Sequence, residues 1–347
     1  MATTSPTELR AGQQATGRVR IAALLQRQGA LIALVLLVLF GALRYEGFLG
    51  GYNITEVLRY NSMFGLIALG MTFVIMTGGI DLSVGGVAAL ASVLAALLSP
   101  YGMLPAVVVP VLAGLLVGLL NGVVIARLAI PPFITTLATL LAARGMALIL
   151  ANNASVSVDS GAGFASISLG SVFSIPLPDG AFNVTIPLLV LLVAYALGSL
   201  ALNYTRFGRH VLAVGGNEEA ARLMGLPVAR IKISVYGING ALAALAGVIL
   251  AALTFTGLPT EGLGWELSAI AAVVVGGTLL TGGMGSVGAT LVGVLLLGLI
   301  FNILNFENGR GVVSLSAYWQ SVIRGVFLLV VIILQNRLAG RRQSLAR

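Results

Sequence analysis

The chain has 347 residues, of which 58% are hydrophobic and only 9% are charged, and its mean hydropathy is +1.05. A soluble domain is about one-quarter charged, so a water-soluble fold is excluded and the surrounding solvent must be lipid. The net charge of +8 comes from basic residues clustered in a few loops, a pattern that orients membrane proteins and does not indicate nucleic-acid binding. Without cysteine, and with one histidine, the chain is predicted to hold no metal and no cofactor.

Ten apolar runs follow one another along the chain, and most approach the ~20 residues that a transmembrane helix needs. The sequence therefore predicts an all-α polytopic membrane protein with about ten transmembrane helices, the shortest of them broken or tilted. We predict one transmembrane domain, 30–335, between an N-terminal segment, 1–29, and a basic tail, 336–347. The runs lie at 30–43, 55–77, 84–98, 104–126, 132–150, 187–203, 233–253, 267–281, 289–305 and 318–335.

The basic residues test this count, because an even number of spans puts both termini on the same side. With the N-terminus in the cytoplasm, the loop 204–232 is cytoplasmic and holds five basic residues, whereas the external segment 151–186 holds none. This distribution satisfies the positive-inside rule. We predict a multi-pass membrane protein with both termini in the cytoplasm and a polar, turn-rich excursion at 151–186 with room for a short helix.

The stretch "TGGIDLSVGG", residues 77–86, interrupts a long apolar region and contains its only acid, Asp81. A charge at membrane depth costs on the order of a few kcal/mol, and the flanking glycines indicate a broken helix. Such a break is tolerated only where the backbone is buried in protein or lines an aqueous cavity. Two interpretations stay open: Asp81 and Ser83 hold the start of the next half-helix, or they face a transport pathway. A similar turn, "TGGMGSVGA", recurs at 281–289.

Other polar residues lie within the predicted spans. Glu56 and Arg59 are one helical turn apart, which predicts a local ion pair. Arg144 has no acid at helical spacing, so Asp81 and Glu266 are its candidate partners. Most polar side chains in spans are expected to join neighbouring helices, and a subset must line any pathway for a solute. The residues assigned to that pathway are Asn61, Asp81, Ser83, Asn121 and Glu266.

The stretch "NEEAARLMGL", residues 217–226, is a polar island in the longest cytoplasmic loop. Glu218 and Glu219 favour the first turn of a helix, and Gly225 followed by Pro227 ends it. The sequence therefore predicts a short amphipathic helix. The residues alone leave two interpretations open: the helix lies on lipid headgroups, or it docks in a groove of a cytoplasmic partner.

The pattern E-A-A-x-x-x-G, formed here by Glu219, Ala220, Ala221 and Gly225, resembles the cytoplasmic signature of ABC importer permeases. Three separate stretches look like the monosaccharide branch of that family, which includes ribose, xylose and galactofuranose permeases: "TRFGRHVLAVGGNEEAARLMGL", "GMTFVIMTGGIDLSVG" and "ELSAIAAVVVGGTLLTGG". The resemblance extends from about residue 53 to residue 335. The segment "LNFENGRGVVSLSAYWQ" looks most like a galactofuranose permease, and Ser268 departs from the Asp that the resemblance leads us to expect.

The resemblance implies a permease subunit that moves a pentose or hexose, galactofuranose favoured, while a separate subunit hydrolyses ATP; the chain itself is then not an enzyme. It also implies the partners: an ATP-binding cassette subunit, a periplasmic sugar-binding protein and a second permease subunit, identical or different. The resemblance further implies that the complex lies in the bacterial inner membrane, surrounded by membrane lipid. The residues it assigns to ATPase coupling are Asn217, Glu218, Glu219, Ala220, Ala221, Leu223, Met224 and Gly225.

Two other functions are weighed against this one: a stand-alone secondary transporter or channel for a small polar solute, and a membrane scaffold. The sequence has no P-loop, no lysine within a span and no series of acids of the kind that proton-driven pumps use. These absences, together with the E-A-A-x-x-x-G signature, favour the importer permease over a stand-alone transporter. The broken helix with Asp81 counts against a scaffold.

Overall fold

The computed structural model describes residues 28–309 except 160, 162 and 178, together with six residues between 319 and 329. The predicted N-terminal segment up to residue 27, most of the predicted span 318–335 and the predicted basic tail lie outside the described residues.

Seven helices of the described chain are long and apolar enough to cross a membrane. Two shorter apolar helices, α1 (Gln28–Arg44) and α11 (Trp265–Val275), coincide with two further predicted runs. The predicted all-α membrane fold is thereby confirmed, although the total of ten helices is not tested by the described residues. The seven long helices are α2 (Gly51–Met76), α3 (Val84–Leu98), α4 (Met103–Arg127), α5 (Pro132–Leu150), α7 (Ile186–Tyr204), α10 (Val228–Thr254) and α12 (Val287–Gly309).

The polar segment between α5 and α7 contains the short helix α6 (Ser166–Leu169) and also an antiparallel hairpin of β2 (Ser171–Leu177) and β3 (Gly180–Thr185). The short helix α6 agrees with the turn-rich excursion predicted there, whereas the hairpin was not predicted. Its signal is present in the sequence, because Asp179 and Gly180 stand between two runs rich in β-branched and aromatic residues. A second antiparallel pair joins β1 (Val156–Ser157) to β4 (Thr256–Gly257).

The helices share two ends, which we name after what lies there. At the hairpin end, the backbone N–H of Asn183 in β3 donates to Thr55 Oγ1 in α2 over 2.9 Å. At the same end, Ser168 Oγ donates to the carbonyl of Ala252 in α10 over 2.7 Å. At the opposite end, the docking-helix end, lie two helices of the predicted cytoplasmic loop, α8 (Arg206–Gly216) and α9 (Glu218–Leu223).

Helix α10 is the centre of the bundle and packs against α2, α3 and α4. Its contact with α4 is made through glycine, since a side chain at Gly240 would collide with the carbonyl of Gly114, and one at Gly118 with the carbonyl of Tyr236. Small residues allow membrane helices to approach closely and gain van der Waals contact. Helices α2 and α10 are accordingly mostly buried, whereas α4, α5 and α7 expose most of their apolar surface outward, as lipid-facing helices do.

Candidate functional site

The predicted short helix at the docking-helix end is present as α9. Asn217 caps it, because its Oδ1 accepts the backbone N–H of Ala220 over 2.9 Å. At the other end, Gly225 adopts a left-handed conformation with a φ of 78°, and the N–H of Leu226 bonds to the carbonyl of Ala221 over 3.0 Å. This is the geometry with which glycine satisfies the last carbonyls of a helix, as the sequence predicted for Gly225.

Helix α8 directly precedes α9 and is not among the predicted elements. Phe207, Val211 and Val214 follow one another at helical spacing, which is the signal for an amphipathic helix here. Val211 and Val214 are buried against the bundle, and the Phe207 ring lies 6.0 Å from that of Phe73 in α2. Helices α8 and α9 therefore form one docking unit that is packed on the membrane domain.

The surface of α9 separates the residues assigned to ATPase coupling into two groups. Ala221, which the resemblance assigned to ATPase coupling, is completely buried within the chain itself, so its side chain faces the bundle and not a partner. Leu223 and Met224 are 84% and 70% exposed, and Asn217, Glu219 and Gly225 are exposed beside them. A six-residue helix must bury one face to stay folded, and here Ala221 provides that face.

Glu218 is engaged inside the docking unit. Lys232 at the start of α10 places its Nζ 2.6 Å from Glu218 Oε2, and Arg222 places its Nη2 3.2 Å from Glu218 Oε1. The Lys232 side chain is only 16% exposed, so its ammonium group is largely enclosed. This arrangement fixes α9 to the first turn of α10, and Glu218 acts within the chain to position the helix.

The docking unit touches two glycine turns of the membrane domain. The turn after α2 contains Gly78 and the turn after α11 contains Gly282, both with left-handed backbones. A side chain at Gly282 would press on the backbones of Gly78 and Gly215, the latter in the last turn of α8. The two similar sequences "TGGIDLSVGG" and "TGGMGSVGA" thus meet in space, and we call this contact the glycine junction.

Asp81 lies just beyond the glycine junction and is completely buried. Its Oδ1 accepts the backbone N–H of Ser83 over 2.8 Å and the Ser83 hydroxyl over 2.6 Å, while its Oδ2 accepts Asn239 Nδ2 over 2.8 Å. Asn121 Nδ2 donates to Ser83 Oγ over 3.0 Å. These bonds join the start of α3 to α4 and α10, which favours the first interpretation, that Asp81 and Ser83 hold the start of a half-helix.

A cavity of about 640 Å³ lies in the hairpin half of the bundle, between α2, α11 and α12. Tyr60, Asn61 and Phe64 of α2 line it, with Trp265 of α11 and Asn302 of α12 opposite. Of the five residues predicted for a pathway, Asn61 lines this cavity. Asp81, Ser83 and Asn121 do not line it, because they are enclosed between helices in the cluster just described.

Glu266, the fifth predicted pathway residue, sits on α11 between two lining residues but directs its carboxylate toward Gly85 at the start of α3. Arg144 acts on this carboxylate electrostatically, yet within the described chain it forms no salt bridge. Its Nη2 donates instead to the carbonyl of Glu261 over 3.2 Å. The predicted pairing of Arg144 with Asp81 is therefore wrong, since Asp81 is satisfied by neutral donors.

The local pair between Glu56 and Arg59 is confirmed, with Arg59 Nη2 2.6 Å from Glu56 Oε2. No cluster of three or more potential metal-ligating residues occurs among the residues that the structure describes.

The bundle of helices long enough to span a membrane, with a cavity between them, is consistent with the class of membrane permeases. The family model described as "Branched-chain amino acid transport system / permease component" matches residues 53–332, and the chain therefore belongs to this family. The chain is a transport subunit and not an enzyme.

The relatives are named as sugar permeases. The ribose import permease protein RbsC of Bacillus subtilis is 37% identical over 92% of this chain and 96% of its own length. RbsC of Escherichia coli K12 is 37% identical over 90% and 94%, and the L-arabinose ABC transporter permease protein AraH of Azospirillum brasilense is 36% identical over 99% and 97%. The predicted resemblance to monosaccharide ABC permeases is confirmed by these relatives. A comparison with solved structures gives no match.

Proposed function

We propose that this chain is the permease subunit of a binding-protein-dependent ABC importer for a monosaccharide, and that ATP hydrolysis on a separate subunit drives transport. The observation that carries the proposal is the docking unit: a short, capped helix that presents Leu223 and Met224 to the exterior while Ala221 and Glu218 hold it to the bundle. The family and the named relatives agree with this function.

The exposed face of α9 supports docking in a protein groove. Leu223 and Met224 are large apolar side chains at the end of a helix that also exposes Glu219. An apolar pair on a rigid support, bordered by a charge, fits recognition of a helix by a complementary groove. A helix that only lay on headgroups would need no fixed attachment to α10, whereas the bond between Lys232 and Glu218 supplies one.

The positions of the basic residues support the orientation of the permease in the inner membrane. The docking-helix end carries Arg127, Arg206 and Arg230, and the segment 151–186 at the hairpin end carries no Lys or Arg. By the positive-inside rule, the docking-helix end faces the cytoplasm and the hairpin end faces the periplasm. The ATPase would then bind at α9, and the sugar-binding protein at the hairpin end, with a second permease subunit completing the pathway.

Ribose and L-arabinose are the first substrates to test, because the relatives carry these sugars in their names. Galactofuranose is the third, since the segment "LNFENGRGVVSLSAYWQ" resembles galactofuranose permeases. The test is uptake of each labelled sugar into proteoliposomes that contain the permease, its ATPase and its binding protein. We expect uptake to need ATP and both partners; uptake by the permease alone would instead support a stand-alone transporter.

A further inference from the structure

Helix α7 carries a stripe of exposed apolar residues on its outer side. Val193, Leu197 and Leu200 follow one another at helical spacing, and all three are exposed. Tyr204 continues the stripe in the last turn of the helix and is 78% exposed. Aliphatic residues on such a stripe face acyl chains, and a tyrosine at its end is typical of the boundary between hydrocarbon and headgroups. The stripe therefore indicates the level at which α7 leaves the lipid.

Two arginines follow this boundary on a rigid support. A single residue separates α7 from α8, so Arg206 begins α8 only two residues after Tyr204. Arg209 lies one helical turn further along, on the same exposed side of α8. The corner between the two helices is tight, because a side chain at Gly208 would collide with the carbonyl of Leu202. Both arginines are therefore held at the level where headgroups lie.

The charges of this arginine pair are not used inside the molecule. Within the part of the chain that the structure describes, neither Arg206 nor Arg209 forms a salt bridge. Glu218 of the same docking unit is already bonded to Lys232 over 2.6 Å. Of the 11 acidic residues in the sequence, only Glu8 lies outside the described residues. The pair therefore presents two positive charges to an anion that comes from outside the chain.

An anionic phospholipid has the chemistry that fits this surface. Its phosphodiester carries a negative charge at headgroup depth, and guanidinium groups bind phosphate oxygens through paired N–H donors. Its acyl chains continue into the hydrocarbon, where the apolar side of α7 lies. A zwitterionic lipid has the same phosphate but brings its own cation, which competes with the arginines. Basic residues close to a membrane surface accordingly favour anionic lipids.

We propose that Tyr204, Arg206 and Arg209 form a binding site for an anionic phospholipid at the corner between α7 and α8. The headgroup phosphate binds the two arginines, and an acyl chain lies along Leu197 and Leu200. Because the opposite side of α8 is buried against the bundle, the bound lipid holds the docking unit at the membrane surface. The site leaves the exposed residues of α9 free for a protein partner. The inference goes beyond the proposed transport function and does not depend on the solute.

A tryptophan in the site measures which lipid lies there. Tyr204→Trp replaces one interfacial aromatic residue by another, and the signal of the two natural tryptophans is subtracted with the unmodified protein. The full chain is reconstituted in vesicles of equal parts phosphatidylcholine and phosphatidylglycerol, and one of the two lipids carries bromine atoms on its acyl chains, which quench a neighbouring tryptophan. We expect quenching to give a relative binding constant of about fivefold or more in favour of phosphatidylglycerol.

Two results of this measurement overturn the proposal. Equal quenching by the two brominated lipids shows that the corner does not select an anionic headgroup. No quenching by either lipid shows that residue 204 faces protein, whether a second copy of the chain or another segment, and not lipid.

Variants separate the arginine pair from the general positive charge of this end of the bundle. In the Tyr204→Trp background, Arg206→Gln/Arg209→Gln should abolish the preference for phosphatidylglycerol, whereas Arg209→Gln alone should reduce it. Arg230→Gln is the matched control for the single change, since Arg230 is exposed at the same end but on α10, the centre of the bundle. Equal losses in Arg209→Gln and Arg230→Gln would contradict a local site, as would an unchanged preference in the double variant.

Inorganic phosphate distinguishes a lipid site from a site for soluble anions. Sodium phosphate, added to the vesicles at constant ionic strength, should leave the preference unchanged, because a free anion gains nothing from the apolar side of α7. If phosphate removes the preference, the arginines bind soluble anions and the lipid assignment is wrong.

Thermal unfolding gives a second measurement that needs no introduced tryptophan. A ligand that binds only the folded protein raises its melting temperature. We expect the permease in detergent to melt at a higher temperature with added phosphatidylglycerol than with added phosphatidylcholine. Arg206→Gln/Arg209→Gln should lose this difference and Arg230→Gln should keep it; a difference that survives in the double variant contradicts the site. Sugar uptake enters none of these measurements, so a failure of the proposed function would leave the lipid site standing.

Discussion

The backbone N–H of Gly283 donates to the carbonyl of Met76 over 2.9 Å, and this bond joins the turn after α11 to the end of α2. Gly215 of the docking unit lies against the same carbonyl so closely that a side chain there would collide with it. We therefore expect a displacement of α8 to reach α2 and the turn after α11 directly through these backbone contacts.

The first prediction concerns Gly215→Ala. The added methyl group collides with the backbone of Met76, so α8 must move away from α2, and we expect both a lower melting temperature and less sugar transported per ATP hydrolysed. Gly216→Ala is the control, since a methyl group at Gly216 meets nothing within 4 Å. The measurements are thermal unfolding in detergent and paired uptake and ATPase assays; similar behaviour of the two variants would contradict transmission through the glycine junction.

The second prediction uses the two faces of α9. Leu223→Glu places a charge on an exposed residue, so the isolated permease should keep its stability while docking to the ATPase weakens by about 2 kcal/mol or more. Ala221→Glu forces a charge into a fully buried position and should unfold the docking unit itself. Co-purification of the ATPase measures docking, and thermal unfolding of the permease alone measures stability. Normal ATPase binding by Leu223→Glu would exclude α9 as the docking surface.

The third prediction concerns the bond between Asn239 and Asp81. Asn239→Leu leaves one carboxylate oxygen without its donor in a buried site, and we expect a loss of about 1–3 kcal/mol of stability. Asp81→Leu in the same background should cost less than it does alone, because the carboxylate that needed the donor is gone. A double-mutant cycle by thermal unfolding gives the coupling energy, with the exposed Asn203→Leu as the control. Strictly additive effects of the two substitutions would show that the bond between Asn239 and Asp81 contributes nothing to the free energy of unfolding.

The long helices could be predicted from sequence because lipid leaves a chain few alternatives. Backbone groups in hydrocarbon must be satisfied within the segment, so an apolar run of sufficient length becomes a helix whatever its neighbours. The hairpin β2–β3 and helix α8 lie among polar and small residues, where this constraint is weaker. There the turn at Asp179–Gly180 and the spacing of Phe207, Val211 and Val214 are the only signals.

The site was less predictable because it depends on contacts between distant segments. The sequence marks Asp81 as unusual but contains no sign that Asn239, far along the chain, donates to it. Likewise, the inward orientation of Ala221 depends on the packing of α9 against α10, which a helix of six residues does not reveal by periodicity. The cavity could not be predicted, because Tyr60, Phe64 and Trp265 look like ordinary residues of apolar spans until α2 and α11 are brought together.

The cluster around Asp81 also sets a condition on biosynthesis. Asn239 follows Asp81 by 158 residues, which take roughly 8–30 s to synthesise at ~5–20 residues per second, and α10 enters the membrane only after that interval. During it, the Asp81 carboxylate has its local donor, Ser83, but lacks the amide that satisfies its second oxygen in the finished fold. A nascent chain that stops before α10 therefore has an acid at the start of α3 with one oxygen that lacks its donor. We expect membrane quality control to recognise unfinished chains by this acid.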